Sequence, residues 1–156
     1  MKIYQRFLFL LVTGTLALVS CKNNTNNEVK PKSITLPFNV FTCHHHSVWD
    51  STRIMDTIVG QWEWQYITAS PFDWVDSTSS KGLCIDIQKN GKINVTKNGT
   101  SIQTSTWQLK KNYSTYYTLE TQPKIFEVDG IILFCENYVV FNTSHRDAYD
   151  EYFRRK

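Results

Sequence analysis

The residue types with the clearest capacity for chemistry are one cysteine and three histidines in a row, at Cys43, His44, His45 and His46. Thiolate and imidazole groups are common zinc ligands, and zinc takes about four ligands in tetrahedral geometry. Consecutive residues of an extended chain point alternately to opposite sides, so at most two of these side chains share a face. A second pair of ligands does not lie nearby in the sequence. We therefore expect no metal site, and we interpret the run as a solvated strap that binds metal only adventitiously.

Sequence signatures of common enzymes are absent. The chain has no Gly-x-Ser-x-Gly elbow, no phosphate-binding glycine loop and no His-Glu-x-x-His pair. Ser144, His145 and Asp147 are triad-type residues, but groups this close in sequence seldom reach the geometry that activates a nucleophile. The other acidic residues are scattered over polar faces of predicted strands, as solvated side chains are. The sequence thus predicts no enzyme, no catalytic residue and no cofactor.

The first part of the chain is organised as a secretory signal peptide followed by a tether. Two basic residues precede an apolar run over 7–19, and the small residue Ser20 follows it. The run is shorter than the roughly 18 apolar residues of a membrane-spanning helix, so we interpret 1–20 as a signal peptide. Residues 21–33 are polar and rich in asparagine, which is typical of a flexible tether.

The end of this segment, Leu18-Val19-Ser20-Cys21, resembles the lipobox of bacterial lipoproteins, in which a small residue precedes an invariant cysteine. The resemblance implies cleavage before Cys21, a diacylglycerol on its thiol and an acylated N-terminus. Each buried methylene of such chains contributes about 0.8 kcal/mol, which makes anchoring to a membrane effectively permanent. We expect a protein of the cell envelope, and Lys22 after the cysteine favours the outer membrane.

The charge of the chain gives no indication of a nucleic-acid partner. Lys and Arg number 17 and Asp and Glu 14. Loss of 1–20 removes Lys2 and Arg6, which leaves 15 basic residues against 14 acidic ones and a net charge of +1. No basic stripe remains of the kind that binds nucleic acid.

Between tether and β-rich region, we expect a strap and one short helix over 34–59. The beginning of this stretch alternates apolar and other residues, as on one face of an edge strand. Asp50 or Ser51 can cap a helix in which Ile54 and Ile58 are four residues apart.

Residues 60–156 have the pattern of antiparallel β-structure. Trp62, Trp64 and Tyr66 alternate with polar residues, as in a half-buried strand. Asn-Gly and Asp-Gly dipeptides, which supply the positive φ angles of two-residue hairpins, separate several strand-like runs. These dipeptides are at 90–91, 98–99 and 129–130.

We predict eight strands, near 61–68, 82–89, 92–98, 101–110, 113–121, 124–128, 131–142 and 148–155. A sheet of short antiparallel strands has two open edges unless it closes into a barrel. The predicted fold is therefore all-β, an antiparallel up-and-down eight-stranded barrel.

Two ends of this region resemble the lipocalin family. "IVGQWEW" resembles the Gly-x-Trp signature that opens the first lipocalin strand, and "EYFRRK" resembles the terminal strand of lipocalin-like lipoproteins, whose arginine packs over that tryptophan. The hairpin sequence "STSSKGLCIDIQKNGKINVTKNG" is similar to the second and third strands of the same group. The resemblance covers 55–156 and implies that Gly60, Trp62 and either Arg155 or Arg154 close one end of the barrel.

In lipocalins the connection between the first two strands shapes the open end of the barrel, and here it carries Phe72 and Trp74. The resemblance implies a small apolar or aromatic ligand in contact with Trp64, Tyr66, Phe72 and Trp74. Alternatively, Phe72 and Trp74 fold down as a plug, because small eight-stranded barrels are often filled by their own side chains. The expected function is a lipid-anchored envelope binding protein; the alternative is a solid-barrel interaction or inhibitor module with an envelope protein as partner.

If Cys21 is lipidated, three cysteines remain where disulfides can form. Cys84 alternates with core-type residues and is expected to point outward, whereas Cys135, on the face of Leu133, is expected to point inward. Cysteines on opposite faces of non-adjacent strands rarely come within the ~7 Å between Cα atoms that a disulfide requires. A strap ending at Cys43 can cross the outer wall, so we predict Cys43–Cys84 in preference to Cys84–Cys135, or no bridge.

Overall fold

The computed structural model describes residues 39–69, 74–112, 115–143 and 149–156. Some sequence predictions concern other residues and lie outside these ranges. They are the signal peptide over 1–20, the tether over 21–33 with its lipid-attachment site Cys21, the first part of the strap over 34–38, and ligand contact at Phe72. The triad-type residues Ser144, His145 and Asp147 also lie outside them.

The described residues form one antiparallel sheet that closes into a barrel. Its strands are β1 (Gly60–Ala69), β2 (Trp74–Asp76), β3 (Leu83–Ile87), β4 (Lys92–Lys97), β5 (Thr100–Lys111), β6 (Tyr117–Gln122), β7 (Ile131–Cys135), β8 (Tyr138–Asn142) and β9 (Tyr149–Arg155). Eight of them, β1 and β3 to β9, follow one another around the barrel, which closes because β9 also pairs with β1. The short β2 pairs with the end of β1. The predicted all-β, eight-stranded barrel is confirmed.

Short-range turn signals account for part of the strand order. Asn98 and Gly99 have φ angles of 52° and 82° and join β4 to β5, as their dipeptide predicts. Gly91, with φ of 80°, lies in the turn between β3 and β4.

Two predicted strands are wrong. The run over 131–142 is a hairpin, β7 and β8, which turns at Glu136 with φ of 52°. Residues 124–128 are not a strand, since Phe126–Val128 form a 3-10 turn ahead of β7. The turn between β7 and β8 was not predicted because it contains no glycine and apolar residues lie on both sides of it. Residues 124–128 alternate as a strand would, but they have no partner strand among the described residues.

The barrel interior is filled by large apolar side chains that point inward from alternate strand positions. They include Trp62, Trp64, Leu83, Ile85, Ile87, Ile93, Val95, Trp107, Leu119, Ile132, Phe134, Val139, Phe141 and Phe153. One end is closed by α2 (Ser51–Ile58), whose Ile54 and Ile58 join the same core. Asp50 caps this helix by accepting a hydrogen bond from the Arg53 N–H at 2.8 Å, which confirms the predicted helix. We call this end the closed end.

A β-bulge in β1 changes which of its side chains face the interior. Trp64 pairs with Phe153 and Tyr66 pairs with Tyr152, so Gln65 is an extra residue on β1. Trp64 and Phe153 belong to the interior, whereas Tyr66 and Tyr152 stack on the outer wall with ring centroids 4.5 Å apart. The sequence expectation that Tyr66 shares a ligand-facing surface with Trp64 is therefore wrong.

A second helix, α1 (Val40–His45), is fastened to the outer wall of β7 by a disulfide between Cys43 and Cys135, with Cα atoms 5.4 Å apart. The predicted Cys43–Cys84 bridge is wrong, and Cys84 is a free thiol. The physical reason is the facing of β7: Ile132 and Phe134 fill the interior, so Cys135 points outward, where the strap can reach it.

His44 completes a weak part of the barrel wall. In the described chain β6 and β7 pair at a single position, Thr118 with Ile131. Beyond it, the Phe134 N–H donates to His44 Nδ1 at 3.0 Å, and the His44 ring stacks on Trp49 at 5.2 Å between centroids. With 5% of its surface exposed, His44 is not part of a solvated strap, so that expectation is wrong for this residue.

This contact predicts a loss of stability in acid. Burial first, and then the charge of His45, lowers the pKa of His44 from 6.5 to about 4. The neutral ring's contribution to stability is therefore fully present above pH 6.5 and is lost as the pH falls through about 4. We expect the urea midpoint to fall over this interval more steeply for the parent than for His44→Asn, whose amide oxygen can accept the same hydrogen bond without titrating.

The matched control is His46→Asn, because His46 is exposed; it should keep the pH dependence of the parent. Tryptophan fluorescence during urea unfolding measures each midpoint. Parallel pH profiles for the parent and His44→Asn would contradict the assigned role of the buried ring.

Candidate functional site

The closed end holds the residues implied by the lipocalin resemblance. The Arg155 guanidinium lies 4.2 Å from the centroid of the Trp62 ring, within the range of a cation–π contact. Its two terminal nitrogens donate to the backbone carbonyls of Val59 and Thr57. Arg155, rather than Arg154, is thus the packing arginine.

Gly60 is required by this arrangement for two reasons. Its φ of 139° is a conformation that side chains disfavour, and a Cβ atom there would lie 2.6 Å from Nη1 of Arg155. Gly60, Trp62 and Arg155 therefore close the barrel and have a structural role.

The opposite end, which we call the mouth, contains a cavity of about 300 Å³. It lies between the connections from β2 to β3 and from β6 to β7, the end of β8 and the first half of β9. The residues that line it are Ser80, Phe126, Glu127, Asp129, Thr143, Tyr149 and Glu151. We refer to it as the mouth cavity.

Three aromatic side chains at the mouth are unusually exposed for their size. Phe126 is 75% exposed, Tyr149 52% and Trp74 41%. Phe126 and Tyr149 line the mouth cavity, and the Trp74 ring packs against Tyr149 at 5.8 Å between centroids. We call Trp74, Phe126 and Tyr149 the aromatic rim. Exposed apolar surface concentrated beside a cavity is typical of a binding site.

The acidic group of the mouth cavity is Glu151. It lies on β9 two residues before Phe153 and so points to the same side as that interior residue. Trp64 Nε1 donates to Glu151 Oε2 at 2.5 Å. Trp64 itself is a buried interior residue, and its connection to the mouth is this hydrogen bond.

Burial is the main cause that raises the pKa of Glu151 from 4.5 to about 7; the Trp64 hydrogen bond opposes it, and the charges of Glu127, Asp150 and Asp76 add to it. The folded protein thus favours the neutral carboxyl. This contribution to stability is present below pH 4.5 and is lost as the pH rises through about 7.

Relative to Glu151→Gln, we therefore expect the denaturation midpoint of the parent to decrease as the pH rises from about 5 to about 8. The contribution of His44, which has the opposite pH dependence below pH 6.5, is the same in both proteins and cancels in this comparison. Glu136→Gln, in the exposed turn between β7 and β8, is the matched control and should retain the parental slope. If the denaturation midpoint changes with pH identically in Glu151→Gln and in the parent, the assigned pKa of Glu151 is wrong.

A larger depression of about 620 Å³ lies along β5 and β6 and the connection that follows them. Charged groups beside it pair with one another: Lys110 with Glu120 at 2.6 Å, and Lys124 with Asp129 at 2.8 Å. The Trp107 Nε1 beneath donates to the backbone carbonyl of Lys92 at 3.1 Å. Since its polar groups satisfy one another, this depression is a weaker candidate site than the mouth cavity.

The described residues lack a metal site and a membrane-spanning helix. They contain no group of three or more His, Cys, Asp or Glu side chains placed to hold a metal ion. Neither α1 nor α2, nor any other helix in the same ranges, has the length and apolar content to span a bilayer.

Of the four residues predicted to contact ligand, the three that the structure describes do not come together. Trp74 is at the mouth, Trp64 is in the interior beneath Glu151, Tyr66 is on the outer wall, and Phe72 lies outside the described residues. Phe126, Tyr149 and Glu151 were not predicted from the sequence as site residues. For Glu151 a signal existed, because counting back by twos from Phe153 places it on the inner face of the last strand.

Comparison of the chain with protein-family models, with curated proteins and with solved structures finds no match. The function must therefore be inferred from the geometry of the chain itself.

Proposed function

We propose that the protein is a lipid-anchored, lipocalin-like binding protein of the bacterial cell envelope, which takes a small ligand with an apolar or aromatic body at its mouth. The observation that carries this proposal is the aromatic rim beside a cavity of about 300 Å³. Aromatic walls with a few polar groups are the usual composition of small-molecule sites.

The anchor is supported by the signal-like segment over 1–20 and by the lipobox-like sequence that ends at Cys21. It is tested by metabolic labelling with a fatty-acid analogue. The parent should be labelled and processed, and Cys21→Ala should accumulate as an unlabelled, uncleaved precursor. Label on the variant would contradict the lipoprotein assignment.

Ligand binding at the mouth is tested by titration with N-phenylnaphthylamine, a neutral aromatic fluorophore whose emission rises in apolar sites. Trp74→Ala and Tyr149→Ala should each weaken its binding by about 10-fold, the loss expected when a contact worth more than 1 kcal/mol is removed. Phe41→Ala is the matched control, because Phe41 is an exposed aromatic residue of α1 on the outer wall. Equal binding by the parent and both rim variants would contradict the proposal.

A second candidate is an interaction module with a solid barrel, and the packed interior favours it. Trp62, Phe141 and Phe153 are each at most 1% exposed within that core. This candidate predicts no binding of N-phenylnaphthylamine by the parent, and so the same titration separates the two functions.

A further inference from the structure

The carboxyl group of Glu151 uses only part of its capacity for hydrogen bonds. Trp64 donates to Oε2 at 2.5 Å, and it is the one donor to this carboxyl group within the described residues. A carboxylate can accept about four hydrogen bonds. Glu151 also lines the mouth cavity. An ionised Glu151 can therefore accept hydrogen bonds from a ligand in the cavity without losing its bond to Trp64.

The charges around the mouth cavity favour a cation. Glu127 and Asp129 line the cavity with Glu151, and Lys124 is paired with Asp129 at 2.8 Å. In the described part of the chain, no lysine or arginine lies within ion-pair distance of Glu127 or Glu151.

Two further carboxylates, Asp76 and Asp150, lie close enough to act on Glu151 electrostatically. Asp76 is held ionised by hydrogen bonds from Thr78 and Ser79, which lower its pKa to about 2. A negative field of this kind attracts cations and repels anions.

The aromatic rim also favours a cation. The face of an aromatic ring attracts an ammonium group electrostatically. Lys124 already uses one member of the rim in this way, since its Nζ lies 5.1 Å from the centroid of the Phe126 ring. Trp74 and Tyr149 form a tilted pair beside the cavity and provide further aromatic surface. A site with Glu151 below the aromatic rim should therefore bind an amine more tightly than a purely apolar ligand.

We infer that the mouth cavity binds a protonated amine with a compact apolar or aromatic body, with its ammonium group donating to Glu151 and its body lying against Trp74 and Tyr149. This inference rests on the proposed function and specifies the class of its ligand. The volume of about 300 Å³ is at the lower end for small-molecule sites, which limits the ligand to a compact one.

Isothermal titration calorimetry with three probes of similar shape tests the inference: phenethylamine, phenethyl alcohol and phenylacetate. At about pH 8, where Glu151 is mostly ionised, the amine should bind the parent about 10-fold more tightly than the alcohol, and phenylacetate should bind most weakly. The affinity for the amine should fall when the pH is lowered to about 6, because protonation of Glu151 removes the charge.

Glu151→Gln keeps the shape of the side chain. It should weaken binding of the amine by about 10-fold and leave the affinity for the alcohol unchanged. Glu136→Gln is the matched control and should behave as the parent does. Equal affinity for amine and alcohol in the parent, or an unchanged preference in Glu151→Gln, would overturn the inference.

The failure of this inference is distinguishable from failure of the proposed function. If the alcohol or phenylacetate binds as tightly as the amine and Tyr149→Ala removes that binding, the mouth remains a ligand site and only its charge preference is wrong. If none of the three probes binds and N-phenylnaphthylamine does not bind either, both proposals are wrong.

Discussion

Replacement of Trp62 by alanine should lower the free energy of unfolding by about 3–5 kcal/mol, the range for truncation of a buried aromatic residue. Trp62 is 1% exposed, and its Nε1 donates to the carbonyl of Ile58 at 2.8 Å. The substitution leaves a cavity at the closed end, removes the partner of that carbonyl, and takes away the ring on which Arg155 packs. Three separate contributions to stability are lost together.

Trp74→Ala is the matched control for this prediction, because it removes the same side chain from the mouth, where Trp74 is partly exposed. Its effect should stay within about 1 kcal/mol. Equilibrium urea unfolding followed by circular dichroism measures both variants. Similar midpoints for Trp62→Ala and the parent would mean that Trp62 does not close the barrel.

Loss of the disulfide between Cys43 and Cys135 should be the second large effect. The two residues are 92 positions apart, and closure of a loop of that length contributes about 4–5 kcal/mol in the chain-entropy model. The bond also holds α1, and with it His44, against the barrel wall. We expect the double variant Cys43→Ala/Cys135→Ala to unfold at a markedly lower urea concentration than the parent.

The control is Cys84→Ala, which removes a free thiol and should change stability by no more than about 1 kcal/mol. Peptide mapping without reduction checks the connectivity directly. It should yield a Cys43–Cys135 peptide and an alkylated Cys84. A bridged peptide that contains Cys84 would show the assignment to be incorrect.

Features of the fold that depend on short-range signals could be predicted from the sequence. Asn98-Gly99 provides the backbone angles of a tight hairpin. Asp50 caps α2 through its own side chain. Each depends on residues whose chemistry restricts the backbone locally, so a pattern in the chain is sufficient to find it.

Features that depend on contacts between distant residues could not be predicted in this way. The segment Val40–His45 contains β-branched and aromatic residues and has weak helix propensity. It is nevertheless helical, because the disulfide at Cys43 and the hydrogen bond from Phe134 to His44 hold it against the barrel. The facing of Cys135 was misjudged because both faces of β7 carry buried apolar residues, so alternation alone does not show which face is the inner one.

The candidate site was predicted only in outline. Trp74 was expected at the mouth from its place in the connection after β1, and the structure has it there. Tyr66 was misplaced because an extra residue, Gln65, reverses the alternation of β1. Glu151 was taken for a solvated acid, although its spacing from Phe153 indicates an inward position. The bulge is decided by the pairing of β1 with its neighbouring strand, which the sequence of β1 alone does not contain.

The central claim is that a small molecule occupies the mouth, and native mass spectrometry of the protein purified from its own host tests it most directly. Our account predicts a second species heavier than the bare protein by the mass of one small ligand, which is released on gentle activation. The same species should be depleted in Tyr149→Ala and retained in Phe41→Ala. A spectrum that contains only the bare protein for the parent, or an added mass that is unaffected by Tyr149→Ala, would contradict the claim.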